Sequence, residues 1–388
     1  MSTAFPSTVL AAHAEIFART AMRRPRPSVS PGAPKRTATI LDIARRAGVS
    51  TATVSRAIAR PESVAPDTRA RVMAAIDESG YTPNATARSL RARATKIVLA
   101  LVPGMSNTFF TPILTAIEDV LSAAGYGLIV GDTRNTPAKE TLYARLIRAG
   151  QVDGVILFTG HLPRDEESRL ADGPAPIVLV CNEIPGETAY SIFDVANRQA
   201  ARTATEHLVA AGHRRIAHIA GPAGNVEAEE RSRGFLEALK AARLPFDREL
   251  AWGGSFRYEA GLEAADRFLA LAEPPTAVFA AADHAAIGFI KAVREAGFRT
   301  PDDVSVIGFD DIDDYCSVID PPLTTMRQPR VELGRLAAED LIARMVRGKG
   351  PVAPVRARLR CTLVERRSVS APAASRGRHA GRRLRTGS

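Results

Sequence analysis

The chain has 388 residues, 45% of them hydrophobic and 24% charged, enough for two or three globular domains with sizeable cores. Three cysteines without a C-x-x-C pair, and no apolar run of about 18 residues, argue against a disulfide framework, a zinc site or a membrane span and fit a reducing cytoplasm. The formal net charge of +10 is uneven: residues 1–96 hold 16 basic against 6 acidic side chains and 371–388 hold 5 against 0, while 97–370 hold 31 against 36, a layout suited to meeting phosphates with one part of the molecule.

Residues 1–38 read as a disordered basic extension, with Arg23, Arg24, Arg26, Pro25, Pro27, Pro31 and Pro34 among serines and small residues. Ser7 to Ala21 is mildly apolar but lacks a basic start and holds Glu15, so it makes a poor signal peptide. Two readings of the extension stay open: a flexible basic arm that adds non-specific DNA affinity, or the product of a start codon placed too early, with Met22 the real start.

Residues 39–82 read as a helical DNA-binding head. Ile40, Ile43, Ala44 and Ala47 share one helix face, and Gly48 follows where a positive φ is often needed. Ser50 caps a second helix whose inner stripe is Val54, Ala57 and Ile58, leaving Thr51, Ala52, Ser55 and Arg56 outward. Hydroxyls and a guanidinium over a small apolar seam suit a recognition helix, although an ordinary helical hairpin would share the apolar pattern. Arg56 can pair with O6 and N7 of a guanine, while Ser50, Thr53 and Ser55 suit phosphates. Pro66 opens a third helix, with Val72, Ala75, Ile76 and Ser79 inward, and Gly80 ends it.

Residues 83–96 read as a short helical hinge and linker. The segment is too short to be a stable helix alone, and Leu90, beside Arg88 and Arg91, suits a wedge between base steps of the minor groove. A plain interdomain linker is the alternative.

From Ile97 onward apolar runs alternate with helical patterns. Ile97–Val102, Leu128–Val130, Val155–Phe158 and Ile177–Val180 read as buried parallel strands; Ile216–Ala220, Ala277–Ala281 and Val304–Gly308 form a second set. Between them lie helical segments such as Pro112–Ala124, Ala138–Ala149, Gln199–Ala211, Arg231–Ala242, Tyr258–Leu271 and His284–Ala296. The alternation predicts two doubly wound lobes over 97–371, with ligands beyond the carboxyl ends of the strands. Residues 372–388 read as a disordered basic tail.

Several motifs in order carry a family resemblance: Asp42-Ile43-Ala44, Ala47-Gly48-Val49-Ser50, Thr53-Val54-Ser55-Arg56, Tyr81 with Pro83-Asn84, Ala87-Arg88-Ser89-Leu90, Gly212-His213, Gly308-Phe309-Asp310-Asp311, and Pro322-Leu323-Thr324-Thr325 with Gln328. The chain resembles the lac repressor (LacI/GalR-type) family of bacterial regulators from about Thr39 to about Pro372. That resemblance implies an N-terminal all-α helix-turn-helix head on an α/β periplasmic-binding-protein-like core of two doubly wound parallel-sheet lobes. It implies three crossovers, expected near Phe193, Leu323 and Val352. It also implies a homodimer on a near-palindromic double-stranded DNA operator, controlled by a small effector of the sugar or sugar-derivative kind. The absence of leucine heptads in the tail favours dimers over tetramers.

By the same resemblance Tyr81, Asn84, Ala87 and Leu90 join Ser50, Thr51, Ala52, Thr53, Ser55 and Arg56 as DNA-facing positions. Phe109, Phe110, Asp132, Thr159, Cys181, Arg231, Phe256, Ala282 and Asp310 are the expected effector site: Phe256 stacks on the ligand, Arg231 and Asp310 bond to it. Two positions depart from the family pattern. Cys181 stands where Asp or Asn is common, and Ala282 where Asn is common, so two hydroxyl partners are lost and an unmodified hexose or pentose bound in the usual manner is not expected.

An enzyme finds little support. Gly221-Pro222-Ala223-Gly224 lacks the Lys of a P-loop, and there is no G-x-S-x-G. Asp310, Asp311, Asp313 and Asp314 read better as a loop with one pocket residue than as a metal site, and no cofactor is expected. A transport-type sugar-binding protein would share the two-lobed core, but would need an export signal and would lack the head.

Overall fold

The computed structural model describes residues 38–81, 94–163, 175–347 and 352–372, and the described residues fall into two compact bodies, the head and the rest. The head holds α1 (Ile40–Ala47), α2 (Thr51–Ala59) and α3 (Pro66–Ser79). The Asp42 carboxylate accepts from both the Thr39 amide (2.9 Å) and hydroxyl (2.7 Å), which fixes the first turn of α1. Gly48 takes φ +64 and closes that helix, and Ser50 Oγ accepts from the Thr53 amide at 3.1 Å to open the next. Ile43, Ala44, Ala47, Val54, Ala57, Val72 and Ala75 form one buried seam between the three helices, with Ile40, Ile58 and Ile76 half-buried at its edge. Seven small or branched side chains make a small core, as a short three-helix unit requires.

The second body holds two six-stranded sheets, the first in the order β11-β5-β4-β3-β1-β2 and the second in the order β12-β10-β9-β8-β6-β7. In the first lobe β1 (Ile97–Val102), β2 (Gly127–Asp132), β3 (Gly154–Leu157), β4 (Ile177–Val180) and β5 (Ser191–Val195) alternate with α4 (Thr111–Ala123) and α5 (Pro137–Arg148). Helix α6 (Asn197–Ala210) carries the chain to the second lobe. There β6 (Ile216–Ile219), α7 (Val226–Ala241), β7 (Ala251–Trp252), α8 (Tyr258–Ala270), β8 (Ala277–Ala280), α9 (Asp283–Glu295), β9 (Ser305–Asp310), the single turn α10 (Asp313–Cys316) and β10 (Thr324–Arg327) follow. Helix α11 (Arg330–Arg347) returns to pack on β3, β4 and β5; then β11 (Arg356–Leu359) joins the first sheet and β12 (Thr362–Val364) the second. All pairings are parallel except β10 with β12. Strands β1, β3, β4, β6, β8 and β9 are almost wholly buried, because helices cover both faces.

The crossovers differ from expectation at two places. The second follows β10, at Gln328–Pro329, and the third lies at Arg360–Cys361, well past Val352. The displacement follows from β10 and β11, which are not among the strands read from sequence. β11 reads Arg-Ala-Arg-Leu and is an edge strand with one exposed side, so it lacks the apolar run that marks a buried strand.

Helices α8 and α9 pack with their backbones close. A Cβ at Gly261 would overlap the carbonyl oxygen of Ala285. Gly261→Ala is therefore expected to destabilise this body by about 1–3 kcal/mol, read as a lower midpoint in urea unfolding. An unchanged midpoint would show that these helices separate without cost.

Candidate functional site

The head presents α2 as expected except at Ser55, which is half-buried rather than outward. Thr51, Ala52 and Arg56 are exposed, Thr53 and Ser55 half-buried, and Val54 and Ala57 buried behind them. Ser50 is already engaged within the head, because its hydroxyl caps α2 and lies 2.9 Å from that of Thr53. Tyr81 is half-buried against the head's own core. Asn84, Ala87 and Leu90 lie outside the described residues. Arg45 and Arg46 in the last turn of α1, with Arg60, Arg69 and Arg71, are exposed cations that the motif reading did not single out. Their signal was the charge count rather than any spacing.

In the second body the carboxyl ends of the central strands face a polar cleft between the lobes, organised by Arg231. This residue projects from α7 and is 6% exposed. Its Nε donates to Asn197 Oδ1 at 2.8 Å and its Nη1 to the Ala281 carbonyl at 2.6 Å, with Asp310 Oδ1 3.5 Å away. The guanidinium lies over the rings of Phe309 (3.8 Å) and Phe256 (5.2 Å). Asp310 ends β9 with φ +114 and accepts from Gln328 Nε2 at 2.7 Å. Burial pushes its carboxyl up to about 6, against the pull of Arg231.

Three further groups complete the cleft. Asp194, near the end of β5, accepts from Asn197 Nδ2 at 3.1 Å, and burial raises its pKa to about 6. Glu227, in the first turn of α7, is buried; desolvation and then the charge of Asp194 push it up to about 7. Cys181 follows β4 at φ +57, and burial, then Asp194 and Glu227, hold its thiol well above the usual range. A thiol kept protonated in this way is no nucleophile. Two hydrogen bonds join the lobes here: Asn225 Nδ2 donates to Asn182 Oδ1 at 3.2 Å, and the Glu183 amide donates to Glu227 Oε1 at 3.2 Å.

Of the nine positions expected at the effector site, Arg231, Asp310, Phe256 and Cys181 come together. Phe109 and Phe110 stand edge to face at 5.2 Å beside Phe158, and Arg330 lies over Phe109. Ala282 is the buried residue before α9, contributing no polar side chain. The bonds of Asp132 are local: it sits on the edge strand β2 and binds the amide and Nε of Arg134. Thr159 likewise donates to the His161 carbonyl two residues on. Asp194, Asn197, Glu227 and Gln328 are the cleft residues that the site reading missed.

Two further buried polar groups, Asp283 and His218, are held by bonds within the second lobe. Asp283 accepts from Thr325 Oγ1 (2.6 Å), the Ile312 amide (2.9 Å) and Cys316 Sγ (3.1 Å). His218 is stacked against Phe235 and Phe279 and bonded to the Phe279 carbonyl and Ser232, with burial lowering its pKa to about 4. Among the described residues no cluster of three His, Cys, Asp or Glu side chains could hold a metal, and no helix is long and apolar enough to cross a membrane.

Residues 39–84 match the model of bacterial regulatory proteins of the lacI family, and residues 205–369 match a periplasmic binding protein-like domain. The HTH-type transcriptional repressor CytR of Escherichia coli K12 is 37% identical over 313 residues, covering 79% of this chain and 90% of that protein. The HTH-type transcriptional repressor PurR of Photobacterium profundum is 36% identical over 309 residues, covering 79% and 92%. Among solved structures, the transcriptional regulator CelR in complex with cellobiose superposes with a TM-score of 0.65 at 33% identity, covering 85% of this chain and 99% of that one. A lac repressor dimer bound to operator and the anti-inducer ONPF gives a TM-score of 0.75 at 27% identity, covering 87% and 100%. With its helix-turn-helix head, its two parallel-sheet lobes and relatives matched over most of their own length, this chain belongs to the lacI family of bacterial DNA-binding transcription regulators.

Proposed function

We propose that this chain is a cytoplasmic, dimeric repressor that reads a near-palindromic operator with α2 and is controlled by a sugar or sugar derivative bound between its lobes. The observation that carries the reading is the cleft itself: a buried arginine, an aromatic ring and several carboxylates converge at strand ends where such folds hold ligands. Related regulators with sugars bound support the class, one in complex with cellobiose and another, from Enterococcus faecium, with bound ribose. Arg231 and Asp310 are assigned the polar contacts to the effector and Phe256 the stacking face. Thr51, Ala52 and Arg56 are assigned base readout, with phosphate contacts from Ser55 and the exposed arginines of the head.

Selection of genomic fragments by the purified protein at moderate salt tests the first half. One enriched palindrome is expected; indiscriminate, salt-sensitive binding to any DNA would overturn the assignment of α2. With the palindrome in hand, Arg56→Ala should cost about 1–3 kcal/mol on that site and little on random DNA, measured by fluorescence anisotropy. Equal losses on both would make Arg56 a phosphate contact.

A further inference from the structure

We propose that Glu227 selects an effector bearing a protonated amine, an amino sugar within the sugar class, which it binds through Oε2. The inference rests on the effector reading above and names the ligand's distinguishing group.

Glu227 is 3% exposed, yet its two carboxylate oxygens are unequal. Oε1 accepts the Glu183 amide of the first lobe, and the Glu227 amide also lies near the carboxylate, but Oε2 is buried and makes no hydrogen bond among the described residues. A buried acceptor without a donor is uncommon, and its place beside the cleft groups marks it as a ligand contact. Asp194, Arg231 and Cys181 are the groups that share its electrostatic surroundings.

The charge balance of the cleft decides what that donor is. Glu227 and Asp310 are buried and Asp194 is half-buried, and Arg231 is the buried cation among them. Arg231 is already committed to Asn197, Ala281 and Asp310. The nearby cations are also engaged: Arg356 and Arg358 pair with Glu183, and Arg330 donates to the Asp311 carbonyl. Within the cleft Asp194, Glu227 and Asp310 therefore face the one guanidinium that is buried among the described residues, that of Arg231, and acceptors are in excess there, because Arg356 and Arg358 are exposed and their charges are screened by solvent. A carboxylated ligand would add to the excess, and a hydroxyl would satisfy the hydrogen bond but leave the charge. An ammonium group satisfies both, through a charge-assisted bond. The same side chain bonds the first lobe through Oε1, so an amine on Oε2 would sit where the two lobes meet.

Binding to the full-length protein at pH 7 and fixed ionic strength tests this. The probes are glucosamine, galactosamine and mannosamine, each set against glucose, galactose and mannose, with glucuronate as the acid. At least one amino sugar is expected to bind about ten-fold or more tighter than its hydroxyl counterpart, the scale of one charge-assisted bond. Glu227→Gln should erase that preference, and Glu227→Asp, which keeps the charge, should retain part of it; an unchanged near-ultraviolet circular dichroism spectrum certifies that each variant is folded. Hydroxyl sugars or glucuronate binding as tightly as the amines, or a preference that survives Glu227→Gln, would overturn the proposal and leave the sugar reading standing. No binding by any probe would overturn both.

Discussion

Arg231→Met is expected to destabilise the two-lobed body by about 3–5 kcal/mol at pH 7.5 and to abolish effector binding. Methionine keeps much of the volume and the contact with the Phe309 ring, so packing is nearly conserved. What is lost is a charge and its bonds to Asn197, Ala281 and Asp310, in a site where each partner is buried. Removing one member of such a pair leaves the others desolvated and unpaired, which is where the cost arises. The penalty has a pH signature. Burial raises the pKa of Asp310 and Asp194 and Arg231 lowers it, and with the arginine present both still lie at about 6. Below that range the two carboxyls hold protons and need the guanidinium less, so the variant's deficit shrinks as pH falls to 5. Urea unfolding of both proteins at pH 5 and 7.5 measures it. Adding Asp310→Asn should return part of the loss, since the neutral amide removes the orphaned charge. A deficit independent of pH would mean that Arg231 acts through packing and hydrogen bonds rather than charge.

Most of the fold was legible because its signals are strong ones. The central strands Ile97–Val102 and Ile177–Val180 are continuous apolar runs, and runs of that length bounded by turns have few other uses. The head was legible for a different reason: Gly48 and Ser50 punctuate the two helices at a spacing that capping requires. The edge strands were not legible. β11 and β12 are short and half-exposed, so their periodicity is too weak to separate from loop. The cleft divides the same way. Arg231 and Asp310 follow from the family motif, whereas Asp194 and Asn197 belong to β5 and its exit, a strand that polar flanking residues hide. Glu227 is the instructive case. Acidic residues in the first turn of a helix are ordinary, since they complement its dipole. Glu227 and Glu229 both occupy that turn of α7, yet one is buried in the cleft and the other exposed. Their helix faces distinguish them: Glu227 lies on the buried stripe with Ala228, Arg231 and Phe235, and Glu229 lies off it.

That burial gives Glu227 a thermodynamic signature of its own. In the fold its carboxyl is raised from 4.5 to about 7, chiefly by desolvation and next by Asp194. A carboxylic acid raised in this way still holds its proton in the native state at a pH where the unfolded chain has released it. Its contribution to stability is therefore full below about 4.5 and is lost as pH rises toward 7. The parent protein will not display this slope cleanly, because His218 works in the opposite direction. Its pKa is lowered from 6.5 to about 4 by burial, so stability is lost as pH falls through that interval. The comparison of Glu227→Gln with the parent cancels His218 and the other groups whose titration does not depend on Glu227; Asp194, which shares its surroundings, responds with it. Glutamine keeps an oxygen for the Glu183 amide and has no proton to lose. Relative to the parent, the variant should gain about 3 kcal/mol between pH 4.5 and 7, at about 1.4 kcal/mol for each pH unit of the window. Urea unfolding across that range measures the difference. A gap that stays flat with pH would mean that Glu227 titrates in the fold as it does in the unfolded chain, and that its Oε2 has water for company; a saturating cationic ligand in the cleft should flatten it too, by holding the carboxylate ionised.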